Sequence, residues 1–261
     1  MGAMSDVSYR LDAMTAEAFG RAAAGNPVIL LPLGSHENHG AAAPMGDYRL
    51  AEILAERIAE QATAREVSAY VAPTLPFGVG DFFGDAAGGL ALSAGSFRAV
   101  LGELLEGLLR HGLTRIVILN GHGGNVPVIH EVTLGIKNAR GVVVPSFYLW
   151  KAARRLMEAV AGPDAGFGHG GEPLLSLNLA LRPAETGAGV TARPAGAMLG
   201  LPVSGFGTLD FGGIEIDAPV EFGLVGGVAV SGASAARGHE VAAALVAAAV
   251  DFVVYFAGEA G

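Results

Sequence analysis

The sequence predicts an α/β protein whose mostly parallel sheet carries helices on both faces, and three observations predict it. Short, nearly continuous apolar runs at 28–33, 67–72, 115–119 and 142–147 have the length of strands buried on both sides. Segments with apolar residues at helical spacing stand between them, so strand and helix alternate. The first and third runs end in glycine-rich turns that carry His, Asn and carboxylates. Open α/β sheets place their ligands just beyond the carboxyl ends of such strands.

Each element can be justified in order. Residues 15–24 read as a short helix with Thr15 as its cap. The strand at 28–33 is closed by Gly34. Asp47 opens a helix in which Leu50, Ile53, Leu54 and Ile58 recur, so Asp47 is also an N-cap candidate. Residues 73–93 form a loop of about twenty residues with five glycines, a length that usually serves a site or an interface. A helix over 96–111 carries Val100, Leu104 and Leu108 along one stripe. The strand at 115–119 ends in Asn120-Gly121-His122-Gly123-Gly124-Asn125, followed by a helix at 126–138 and the strand at 142–147. Residues 151–160 are expected to be helical, and a glycine-rich loop precedes a helix at 172–181. Residues 185–232 read as short strands and loops, and 233–256 as a long alanine-rich helix. No internal repeat and no linker divides the chain, so residues 1–261 are read as one domain. Residues 1–4 fit either an expression remnant or a natural start.

Composition narrows the function. Of 261 residues, 51% are hydrophobic and only 16% charged, so part of the surface is small or apolar and suited to burial in an oligomer. The net charge of −9 and the lack of a basic cluster make nucleic acid and anionic membranes poor partners. The late apolar stretch 241–256 is interrupted by Asp251 and is shorter than a membrane span needs. The opening residues lack a signal-peptide pattern, and the expectation is a soluble, cytoplasmic protein. Cysteine is absent, so any metal must be held by His, Asp or Glu.

Three separated stretches offer such ligands: Glu37, His39 and Asp47; then His122; then His169 with Glu172. Imidazoles and carboxylates are expensive to desolvate unless a metal or hydrogen bonds compensate, and this mixture suits zinc, manganese or iron. Each also has a plainer reading. His122 alone fits a hydrogen-bonded structural residue, and Glu172 a favourable acid at a helix N-terminus. The turn 120–125 could cradle an anion on backbone N–H groups, although it lacks the lysine of a P-loop.

The blocks Gly34-Ser35-His36-Glu37-Asn38-His39-Gly40 with Pro44 and Asp47, Asn120-Gly121-His122-Gly123-Gly124-Asn125, and Gly168-His169-Gly170-Gly171-Glu172 with Ser176 resemble the creatininase family of metal-dependent amidohydrolases. The likeness spans roughly residues 10–185. It implies a layered α/β fold, two divalent ions (Zn, Mn or Fe) and a homo-oligomer, typically a hexamer. Carried over residue by residue, Glu37 and His122 bind one metal, His39 and Glu172 the other, and Asp47 bridges them. His169 is the acid/base. The implied reaction cleaves a C–N bond of a small amide or cyclic amide with a water activated between the ions. Peptide trimming and a non-catalytic binding role are the alternatives. Ala41–Ala43 stand where the family commonly has a His, and the gap from Glu37 to Asp47 is one residue short. Phe77, Phe82, Phe83, Tyr148 and Trp150 are candidates for a planar-substrate pocket or for subunit contacts. The role of His36 is left open.

Overall fold

The computed structural model describes residues 9–80, 87–162, 167–187, 197–205, 208–218 and 232–259. At its centre lies β1 (Val28–Leu33), all six residues of which are buried. It pairs in parallel with β2 (Ala69–Val71) on one side and β3 (Ile116–Asn120) on the other, and β3 pairs in parallel with β4 (Ser146–Tyr148). The order β2-β1-β3-β4 makes the crevice between β1 and β3 the point where the chain, having built to one side, crosses to build on the other. That is where an open α/β sheet leaves room for a ligand.

The pleat explains why every residue of β1 is apolar. Val28 and Leu30 face one core, with α2 (Tyr48–Ala64), α5 (Leu149–Ala161), α6 (Leu174–Leu181) and α7 (Ala235–Glu259). Ile29, Leu31 and Leu33 face the other, with α1 (Ala16–Ala23), α3 (Ala94–Arg110) and α4 (Val126–Arg140). The expected layered α/β architecture is therefore present. Thr15 caps α1 by accepting from the Ala18 amide, and Ser93 caps α3 by accepting from Ser96.

Several expectations need correction. The inward stripe of α3 is Phe97, Leu101 and Leu105, whereas Val100 and Leu104 are exposed. With apolar residues on more than one face of this helix, docking against the sheet and α4 decides which stripe turns in. The fourth strand begins at Ser146, and the helix expected from residue 172 begins at Leu174, after Pro173. The last helix runs 25 residues, and 235–258 is long and apolar enough to cross a membrane by length and composition. Here Val241, Leu245, Val246 and Val253 are buried in the core it shares with α2, α5 and α6. Close approach is part of that packing, since a Cβ on Gly238 would overlap the Ser176 carbonyl oxygen of α6. Residues 197–217 contain an antiparallel meander, β5 (Ala197–Met198), β6 (Leu201–Gly205), β7 (Thr208–Phe211) and β8 (Ile214–Asp217).

Candidate metal centre

Both glycine-rich turns leave their strands at the same end. Leu33 and Asn120 are register partners in the last rung of the β1–β3 ladder, so the segments after them start side by side. At the edge of this crevice, Gly34 is obligatory: a Cβ there would overlap Asp47 Oδ1 and lie 2.5 Å from the Tyr48 backbone. Asp47 does precede α2, yet its carboxylate does not cap the helix. Oδ1 instead accepts from the Ser35 amide at 2.7 Å, which leaves Oδ2 facing His122 Nδ1 at 3.4 Å.

Two groups of ligand-capable side chains result. Glu37, Asp47 and His122 form one; Glu37, His39 and His169 form the other; within each, the donor atoms lie within 4.8 Å of one another. Glu37 belongs to both. Its Oε1 is 2.9 Å from His122 Nδ1 and 3.3 Å from His39 Nε2.

Backbone carbonyls set the imidazoles. A carbonyl can only accept, so the ring nitrogen facing it carries the proton and the other is left for a ligand. His122 Nε2 donates to the Val79 carbonyl at 2.8 Å, His39 Nδ1 to Pro44 at 3.2 Å, and His169 Nε2 to Asn38 at 2.6 Å. Two asparagines brace the second turn. The Asn120 amide group donates to the His122 carbonyl at 2.6 Å, while Asn125 donates to the Gly34 carbonyl and accepts from the Val79 amide. The motif spelled out these asparagines; their partners at Gly34 and Val79 belong to distant segments and carry no local signal.

Electrostatics follow from burial and neighbours. Burial pushes Glu37 up, but His122 beside it more than offsets this and holds the carboxyl well below its usual range. Burial pushes Asp47 up to about 6 against the pull of His122. For His122, burial works downward, and Glu37 and Asp47 together hold the imidazole well above its ordinary value.

Glu172 belongs to neither group. Its buried carboxylate lines the same cavity but accepts from the Ser176 hydroxyl at 2.5 Å and the Ser176 amide at 3.1 Å, and burial raises its pKa. His36 also stands apart, with its carbonyl accepting from Leu90 and its ring tilted against Tyr48. Tyr148 and Trp150 line the cavity, the Trp150 indole N–H donating to the Gly121 carbonyl. Phe77 is exposed, and Phe82 and Phe83 lie outside the described residues. Sequence reasoning passed over Lys151, Arg154 and Arg155, which line the cavity.

A buried donor set of imidazoles and carboxylates, in two groups that share one carboxylate, is chemically suited to hold divalent cations. In class, this is an α/β protein with a candidate binuclear metal centre at the switch point of its sheet. A family model for Creatininase (creatinine amidohydrolase) matches residues 12–253, and the chain belongs to that family. It is 30% identical over 184 residues to creatinine amidohydrolase of Pseudomonas putida, a match covering 62% of this chain and 67% of that one. It is 32% identical over 105 residues to the mycofactocin precursor peptide peptidase of Mycolicibacterium smegmatis, which covers 40% of this chain and 42% of that one. A zinc–zinc type mutant creatininase superposes with a TM-score of 0.76 at 23% identity, covering 94% and 97% of the two chains. The manganese creatininase gives 0.74 at the same identity and coverage. At that identity the structural likeness concerns the fold.

Proposed function

We propose that this protein is a metal-dependent amidohydrolase that cleaves a C–N bond of a small amide or cyclic amide, using two divalent ions drawn from zinc, manganese or iron. The observation that carries the proposal is the pair of His–carboxylate groups sharing Glu37. The creatinine amidohydrolase relative and the zinc and manganese types among the similar structures support it.

In this reading Glu37, Asp47 and His122 would hold one ion, and His39 with Glu37 and Glu172 would hold the other. Ions bound there would supply Lewis acidity for a carbonyl oxygen and would lower the pKa of bound water from about 16 toward about 7. The chain's own residues do the rest. Val79, Pro44 and Asn38 fix the rings of His122, His39 and His169. Tyr148 and Trp150 orient a planar amide on the cavity wall. Hydrolysis breaks the C–N bond, with OH added at the carbonyl carbon and a proton delivered to the departing nitrogen. His169 delivers that proton, work suited to an imidazole, which can both accept and donate one.

A second reading, trimming of a short peptide, is favoured by the peptidase relative and by the size of the cavity, about 1120 Å³. The test is a panel of lactams, formamides and short peptides given to metal-loaded and chelator-stripped protein. The proposal expects metal-dependent cleavage of a non-peptide amide. Cleavage of peptides alone selects the second reading, and cleavage of nothing by protein carrying both ions removes both.

A further inference from the structure

The cavity extends well past the ligand groups. At about 1120 Å³ it exceeds the roughly 300–1,000 Å³ common for drug-sized ligands, so one small ring would leave much of it unfilled. Its other wall is α5, which contributes Lys151, Arg154 and Arg155. Three of the chain's 16 basic residues thus gather at one cavity of a protein with net charge −9.

These cations differ in their commitments. Arg154 pairs with Glu158 at 2.9 Å and lies over the Phe167 ring at 4.9 Å. Lys151 and Arg155, four residues apart and so on one face of α5, have no hydrogen bond or ion pair among the described residues. Glu215 of β8 lines the cavity as well. Among the described lining residues outside the ligand groups, Glu158 pairs with Arg154 and Glu172 with Ser176, which leaves Glu215 to offset Lys151 and Arg155. Among the described residues, two cations against one carboxylate leave room for a single negative charge. That balance fits a carboxylate better than a doubly charged phosphate, and a guanidinium fork suits a carboxylate's geometry.

We propose that Lys151 and Arg155 form an anion subsite, and that the substrate is an amide carrying a carboxylate some distance from the scissile bond, as in an N-acylated amino acid. This rests on the amidohydrolase reading for the bond that is cut, but binding is separable from cleavage.

The test compares N-acetylphenylalanine with its uncharged C-terminal amide on the metal-loaded protein. Dissociation constants come from titration calorimetry and cleavage from amine release in parallel. The acid is expected to bind about tenfold more tightly than the amide. In Lys151→Ala/Arg155→Ala, with metal content and melting temperature equal to the parent's, the two ligands should bind alike. An acid advantage that survives in the double variant places the carboxylate elsewhere and overturns the subsite, as does no advantage in the parent. The predicted preference without cleavage of either ligand leaves the subsite standing and counts against the hydrolase reading alone.

Discussion

The imidazole of His122 sits between an acceptor that never ionises, the Val79 carbonyl, and two that do, Glu37 and Asp47. In metal-free protein His122 and Asp47 both have pKa values raised above their ordinary ones, Asp47 to about 6. A raised folded-state pKa gives stability that is full at low pH and lost as pH rises through that value. Glu37 is depressed, so its contribution has the opposite sign, but it is lost only as pH falls below the ordinary carboxylate value of 4.5. Metal-free protein is therefore expected to lose roughly 5 °C or more in melting temperature from about pH 5 to about pH 8. Metal-loaded protein should gain over the same range, because cations displace those protons. Melting curves with chelator and with zinc test this, and parallel pH trends would refute it. His169 and Glu172 are separable by metal counting. His169→Ala is expected to keep both ions and lose about a hundredfold or more in turnover. Glu172→Gln should lose one ion. The reverse pattern would make His169 the ligand and Glu172 a support for Ser176. Residue types and spacings in the sequence made Glu37, His39, Asp47, His122 and His169 legible as site candidates. That Glu37 is common to both groups was not legible, because it depends on where the loop 34–47 settles once α2 is docked. The Ser176 bonds of Glu172 likewise form only when α6 is in place.

At the scale of elements, β1 and β3 could be read because strands buried on both faces are apolar at nearly every position. The stripe on α3 could not, because Leu101, Leu104, Leu105 and Leu108 supply more than one apolar face and only the tertiary partner chooses. The structure's choice is testable. Leu105→Ala should cost about 2–5 kcal/mol, whereas Leu104→Ala, on the exposed side, should stay within about 0.5 kcal/mol. Denaturant titration of both variants decides, and a larger loss for Leu104→Ala would restore the stripe expected from spacing. The meander β5–β8 was legible only as short strands in a Gly-, Pro- and Val-rich region, since weak alternation does not specify pairing. That meander nonetheless matters to the site, bringing Thr208 and Glu215 to the cavity.

For the whole molecule, the low charge fraction has a visible counterpart in exposed Leu134, Val143, Phe211 and Ile214. We propose that subunit contacts cover part of this surface in a hexamer, as the family resemblance implies. Light scattering should then give six times 26.3 kDa, and a stable monomer at micromolar concentration would exclude it. The central claim is that segments far apart in the chain grip one pair of cations through a shared carboxylate. Metal content per chain, measured on the protein and on Glu37→Gln, tests this most directly, because Glu37 alone belongs to both ligand groups. The account predicts two ions per chain in the parent and fewer than one in the variant; equal content in the two proteins would contradict it.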